Sequence, residues 1–157
     1  MAELFAAVAA ERDGIATEPP VDVAVRTAQF AATVAGSVIA VTDDAVTNDA
    51  VTNDAVAGGQ VIGMIHVEAS RHGFGEFGML VDRDWRGRGV GSALVQAAIA
   101  LARQQGLHKL SLEVFAHNAA GIALYRKCGF VEEGRRPGQY RRASGELWDT
   151  IIMGRAL

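Results

Sequence analysis

The chain is poor in the residues that cross-link or stiffen a fold. Its 157 residues include one cysteine and three prolines. Cys128 has no partner for an internal disulfide, so a disulfide framework is excluded and a reducing cytoplasm is the expected setting. The apolar run from Val90 to Ala102 is too short, and too rich in Gly and Ala, to span a bilayer. Met1 to Phe5 has no basic residue, and Glu11, Arg12 and Asp13 interrupt the apolar stretch that follows, so no signal peptide is expected. Positive charge is not in excess either. A formal net charge of −3 argues against a non-specific nucleic-acid binder, which needs a basic field. Half of the residues are apolar and 21% are charged, which suits one globular domain over residues 1–157.

Leu4, Phe5, Val8 and Ala9 recur at helical spacing, predicting a first helix that ends near Gly14. Pro19-Pro20 breaks the chain, and residues 22–34 read as a second helix with Gly36 just past its end. Ser37 to Val41 is a β-branched strand. A five-residue unit follows, Asp44-Ala45-Val46-Thr47-Asn48, repeated as Asp49 to Asn53 and begun again at Asp54. Asp and Asn favour turns, and the glycine and terminal glutamate of a hand-type calcium loop are missing, so residues 43–58 read as a surface-loop expansion. Strands are expected over residues 60–69, 76–81 and 109–115, and helices from the glycine turn to about Gln105 and over residues 118–127. Val131 to Gly134 and Leu147 to Met153 read as a last antiparallel pair joined by a basic loop from Arg135 to Gly145. The fold class is α/β (α+β): a mixed, mostly antiparallel sheet of about six strands flanked by about four helices.

Chemistry concentrates at Arg86-Gly87-Arg88-Gly89-Val90-Gly91-Ser92, between the strand that ends at Val81 and an amphipathic helix. Glycines at alternate positions let backbone N–H groups point into one concavity, and the helix adds its own free N–H groups and dipole. Together these cradle a diphosphate. A Walker loop requires a lysine that is absent here. The dinucleotide fingerprint fails as well, because Ser92 or Leu94 falls where its last small residue belongs.

Arg86-x-x-Gly89-x-Gly91 matches the R/Q-x-x-G-x-G/A pattern of the GNAT acetyltransferases. A second block, Leu112-Glu113-Val114, Asn118, Ala120, Leu124-Tyr125, Lys127 and Gly129-Phe130, resembles that family's other conserved stretch, in the right order and at the right separation. The resemblance runs from about Gln60 to the C-terminus and is closest to the phosphinothricin/amino-acid and ribosomal-protein alanine N-acetyltransferase branches. It implies a GNAT fold and acetyl-CoA as donor, with direct transfer to an amine and no metal. It implies that Met79, Leu80 and Val81 hold the pantetheine arm through the main chain. Arg86, Gly87, Arg88, Gly89, Val90, Gly91 and Ser92 would hold the pyrophosphate. Asn118 would touch the cofactor, and Tyr125 would point at the CoA sulfur. GNAT domains usually open with an edge strand. Here Met1 leads into helical sequence, so that strand is expected to be missing and the strand at Ser37 to Val41 to have an open edge that invites a second chain, as in a homodimer.

An alkyl ammonium with a pKa around 10 must lose a proton before its nitrogen can attack, and the leaving thiolate must gain one. A tyrosine is protonated at neutral pH and can donate, which suits Tyr125. Glu113 is the favoured base. Alternation turns it away from Leu112 and Val114, and it resembles the glutamate of the ribosomal-protein alanine branch. Glu76 and a water chain are alternatives. His66, His72, His108 and His117 form no ligand cluster. His66 could face the acceptor but reads better as a packed or surface residue, and His117 as part of a turn. Cys128 reads as a small buried hydrophobe. Arg135, Arg136, Arg141 and Arg142 read as a solvated basic loop or as a site for an acidic acceptor. The acceptor is expected to be a small amine such as an amino acid. A protein N-terminus or lysine is the alternative, and a non-catalytic acyl-CoA-binding domain the rival of another class. A nucleotide-binding domain is more remote. No nucleic-acid or membrane partner is expected.

Overall fold

The seam on which the architecture turns lies between two parallel strands that begin paired and then part. The computed structural model describes residues 1–32, 37–41, 44–47 and 60–157. In chain order the elements are α1 (Ala2–Ala10), α2 (Val23–Ala32), β1 (Ser37–Val41), β2 (Asp44–Thr47), β3 (Val61–Ala69), β4 (Phe74–Val81), α3 (Val90–Gln104), β5 (Lys109–Phe115), α4 (Ala119–Lys127), β6 (Val131–Arg141) and β7 (Leu147–Ala156), with a short 3-10 turn at Arg83–Trp85. Among the described residues the strands form one sheet, ordered β2-β1-β3-β4-β5-β7-β6. Neighbours are antiparallel except β4 and β5. Those two pair only from Phe74 with Lys109 to Glu76 with Ser111, whereas β4 stays paired to β3 as far as Val81.

Period-two alternation divides the sheet into two faces. Ile65, Val67, Phe77, Leu110, Leu112, Val114 and Met153 pack under Leu94, Val95, Ala98 and Ile99 of α3 and Ile122 of α4. Each of these side chains larger than Ala98 contributes roughly 1.5–3 kcal/mol on burial. The opposite face is thinner: Met64 and Leu80 meet Leu4 and Val8 of α1, with Phe5, Ile15 and Phe30 beside them. Helix ends follow their sequence signals. Asn118 caps α4 by accepting from the Gly121 N–H at 2.9 Å. Gly106 (φ +73°) and Gly129 (φ +85°) take the left-handed positions after α3 and α4, and the Phe130 N–H returns to the Tyr125 carbonyl at 3.0 Å.

Four expectations are corrected. Helix α1 stops at Ala10 rather than near Gly14, and Arg12 takes φ +63°. The first copy of the repeat, Asp44–Thr47, is not loop but strand β2, pairing Ile39 with Thr47 and Val41 with Asp44. The edge of β1 expected to be open is therefore occupied, because its backbone groups find partners within the same chain. The later copies and Gly36 lie outside the described residues. The basic loop is largely strand as well: β6 continues to Arg141, and the turn is confined to the bonds between Arg142 and Glu146 and between Gly145 and Arg142. A bulge between Arg136 and Tyr140 takes up Pro137, which an edge strand tolerates. Asp149 holds it in place. The Gly138 N–H and then the Arg135 guanidinium bond its carboxylate and lower its pKa from the ordinary value.

The fourth correction is Arg142, which is 4% exposed rather than solvated. Its guanidinium donates to the carbonyls of Ala16 (2.9 Å) and Arg12 (3.1 Å), lies 4.3 Å from the Trp148 ring centre, and sits 3.0 Å from a Glu18 carboxylate oxygen. It pins the α1–α2 connection to the β6–β7 hairpin. Arg142→Met is expected to lower stability by about 2–3 kcal/mol, because the carbonyls and Glu18 lose their partner. That corresponds to roughly 5–10 °C in Tm by circular dichroism, and a drop within the error of the melt would show that the clamp carries no net stability.

Candidate active site

The parting of β4 from β5 leaves one side of β4 without a strand from Phe77 onward. A cavity of about 1110 Å³ opens there. One wall is Met79, Leu80 and Val81, on the edge of β4 that β5 has left. The chain then turns through Arg83–Trp85, where Asp82 accepts from the Asp84 N–H at 2.9 Å, and enters the glycine loop. Gly87 (φ +74°) and Gly89 (φ +90°) hold conformations that a side chain resists, and a Cβ at either would meet nothing within 4 Å. The loop thus needs glycine for its backbone shape. Gly91 serves differently: a Cβ there would lie 3.0 Å from a Leu124 methyl, so its absence lets α3 approach α4. Gly89 is the N-cap of α3 and supplies no side-chain cap, which leaves the N–H groups of the first turn for an anion.

Of the residues expected to hold the cofactor, Met79, Leu80, Val81, Arg86, Gly87, Gly89, Gly91, Ser92, Asn118 and Tyr125 all line this cavity. Arg88 and Val90 do not; the Arg88 guanidinium stacks 5.0 Å over the Trp85 ring. Arg86 lines the cavity with its charge already engaged. It forms a two-pronged ion pair with Glu11 (2.7 and 2.9 Å) and donates from Nε to the Val81 carbonyl at 3.1 Å. The Asn118 oxygen is committed to capping α4.

Tyr125 projects from α4 between Phe77 and Phe130, with ring centres 5.8 and 6.2 Å away. It is 8% exposed, and no protein group bonds its hydroxyl among the described residues. Burial, with a smaller contribution from Cys128, pushes its pKa up to about 12. Cys128 is itself buried and free.

Glu113 lines the cavity from β5. One carboxylate oxygen receives the Thr150 hydroxyl and the other pairs with Arg136 at 3.1 Å. Glu76 is exposed and does not reach the cavity wall. Two histidines do, His66 among them although a packed or surface position was the expectation. His66 Nδ1 lies 2.9 Å from Ser37 Oγ. His117 stacks on Phe115 (5.4 Å, 10° between planes) and meets Trp148 edge-on. The sequence reading also missed Phe5, Phe30, Tyr140 and the 13–16 segment, which close the cavity on the α1 and α2 side. Alternation that puts Met64 on the thinner face puts His66 there too, so that signal was available. The 13–16 segment carries no motif. Among the described residues no group of three or more His, Cys, Asp or Glu could hold a metal ion, and no helix is long and apolar enough to cross a membrane.

Comparison with known proteins bears on this geometry. The family model described as "Acetyltransferase (GNAT) family" matches residues 25–130. An L-methionine sulfoximine/L-methionine sulfone acetyltransferase of Pseudomonas paraeruginosa is 36% identical over 142 residues, covering 87% of this chain and 75% of that protein. A ribosomal protein bS18 alanine N-acetyltransferase of Escherichia coli is 42% identical over 77 residues, 49% of this chain and 51% of that one. Against several curated relatives the chain thus spans about half of their length. A solved phosphinothricin acetyltransferase from Sinorhizobium meliloti, in complex with acetyl-CoA, shares the fold with a TM-score of 0.80 and 21% identity over 99% of this chain and 80% of its own. The chain belongs to the GNAT family of acetyltransferases.

Proposed function

We propose that this protein moves an acetyl group from acetyl-CoA to the primary amine of a small, amino-acid-like molecule. The observation that carries the reading is one cavity joining an unpaired strand edge, an uncapped helix N-terminus and a buried tyrosine. The residues fit the donor. The first turn of α3 and the backbone of Gly87 and Gly89 suit a diphosphate, and the free edge of β4 over Met79–Val81 suits an amide-bearing arm. Bound acetyl-CoA would supply an activated thioester. Arg86 both meets the anion and ties the loop to Glu11, and Asn118 keeps the start of α4 in place. A small acceptor is favoured because α1, α2 and the 13–16 segment stand over the acceptor side, and because a relative that matches most of the chain is named for amino-acid analogues. A cytoplasmic setting suits the single, buried Cys128. A homodimer remains an expectation for solution sizing.

Tyr125 is the hydrogen-bond donor for the departing sulfur. With its pKa at about 12 the hydroxyl is protonated at every physiological pH. A thiol is normally more acidic, near 8.5, so complete proton transfer requires the hydroxyl to be refilled at once, and the second proton of the amine can do this.

Two measurements test the reading. In a thermal-shift titration acetyl-CoA is expected to stabilise the protein, by about 2.7 kcal/mol at a hundredfold excess over Kd. ATP and NAD should not do so, and Gly89→Val should lose the effect. A folded protein indifferent to acetyl-CoA would overturn the donor assignment. Tyr125→Phe is expected to lower kcat about 10²-fold with acetyl-CoA binding kept. In an absorbance titration of tyrosinate it should also remove the component near pH 12. Because the native pKa is raised, the native state keeps a proton that the unfolded state loses above pH 10. Stability from this group is therefore present below that pH and declines towards about 12, a decline the phenylalanine variant lacks.

A further inference from the structure

Four residues stand in one row across the sheet. Ser37 on β1 is paired with His66 on β3, and His66 with Gly78 on β4. Gly78 lies two residues past Glu76, the last β4 residue paired to β5, and Glu113 lies two residues past that residue's partner, Ser111. Period two therefore puts Ser37, His66, Gly78 and Glu113 on one face, with the seam between the last two. It is the face covered by α1 and α2, opposite Tyr125. A Cβ on Gly78 would meet nothing within 4 Å, so the space above it is open. Paired strands such as β3 and β4 are about 4.8 Å apart, so an amine seated over Gly78 has His66 on one side and Glu113 on the other, across the seam.

We propose that His66 is the group that takes the proton from the acceptor, that Ser37 is its positioning residue, and that Glu113 is the anion that draws the ammonium in. The inference rests on the acetyl-transfer reading. A carboxylate beside an ammonium stabilises the charged form, the opposite of what deprotonation needs. Glu113 also has both oxygens engaged, by Thr150 and Arg136. Imidazole is the side chain whose charge changes between about pH 5 and 8. With Nδ1–H donating to Ser37 Oγ, the Nε2 lone pair is left without a protein partner among the described residues. The step is a plain proton transfer. An N–H bond of the ammonium breaks, its electron pair stays on nitrogen, an N–H bond forms at Nε2, and the imidazolium returns the proton to solvent. The ionisable groups around His66 are Glu68 on its own strand, Glu76 on β4, Glu113 on β5, Arg26 on α2, and Asp13 and His117 at the cavity wall. Among the described residues no carboxylate lies within 4.0 Å of a His66 ring nitrogen.

The ring can be read directly. Protein with ¹⁵N-labelled histidine is examined by NMR with and without acetyl-CoA, and His66→Gln assigns the signal among four histidines. At about pH 8 the neutral ring is expected as the Nδ1–H tautomer, and an Nε2–H tautomer overturns the proposal. Release of the CoA thiol with L-methionine sulfone as acceptor gives the second readout. His66→Gln is expected to lose about 10²-fold in kcat/KM near neutral pH while its thermal shift with acetyl-CoA is kept. Its deficit should shrink towards pH 10, where the amine sheds its proton unaided. Ser37→Ala should lose a smaller factor and move the ring towards the other tautomer. Wild-type turnover with undiminished His66→Gln turnover, or a pH-rescued defect in Glu113→Gln instead, overturns the role of the histidine and leaves the acetyl-transfer reading standing. No turnover by the wild type on L-methionine sulfone, other L-amino acids or short peptides overturns both.

Discussion

The separation of β4 from β5 after the Glu76–Ser111 pair is the constraint on which the rest of the molecule depends. Parallel strands rarely give up pairing inside a sheet, because each abandoned backbone group forfeits a partner. Here β3 still holds β4 on one side and β7 holds β5 on the other, so the seam opens without unravelling either strand. Helices α3 and α4 brace the gap from one face. Their close approach runs through Gly91 and Leu124, which places the uncapped end of α3 beside the free edge of β4. The donor site is thus a product of strand divergence and helix packing together. Gly87 and Gly89 shape the loop, but they would hold nothing if the seam were closed.

The seam also separates two chemical environments. On the α3–α4 side the core is deep and aromatic, and burial keeps the Tyr125 hydroxyl protonated. On the α1–α2 side the apolar cluster is small, and the wall is completed by charged and polar groups such as Glu113, His66 and Thr150. Transfer between an acyl donor and an amine needs a proton given on one side and taken on the other. A sheet with a gap through it offers two unlike sides to one cavity, as the proposed roles of Tyr125 and His66 require.

Much of this was legible in the sequence where local chemistry and periodicity agree. Strand β5 was expected at its observed limits, and α4 was expected to within one residue, with its Gly129–Phe130 ending, although the capping role of Asn118 was not foreseen. The shape of the glycine turn and the helix that follows it were legible because only local backbone conformation was involved. The failures share a cause: they depend on partners distant in sequence. Arg142 reads as a solvated loop residue until the Arg12 and Ala16 carbonyls, more than 120 positions away, turn toward it. Asp44–Thr47 has turn-forming ends, yet its Ala-Val-Thr centre suits a strand once β1 offers an edge. The pairing of Arg86 with Glu11, 75 positions away, likewise went unforeseen, although Arg86 lines the cavity as expected.

That last pair points to how the acceptor side is held. Helix α1 brings only Leu4 and Val8 fully into its cluster, too little apolar area to fix a nine-residue helix and the irregular stretch after it. Phe30 of α2, edge-on to Phe5, and two arginines add to it. Arg86 grips Glu11 at the end of α1 from the donor loop, and Arg142 grips the carbonyls of Arg12 and Ala16 from the β6–β7 turn. Both clamps converge on the segment that leads into the acceptor wall at 13–16. A wall held by planar, multi-donor cations keeps its position through directional bonds rather than bulk, and lysine could not reproduce that fork geometry. The donor loop and the acceptor wall are therefore mechanically one piece.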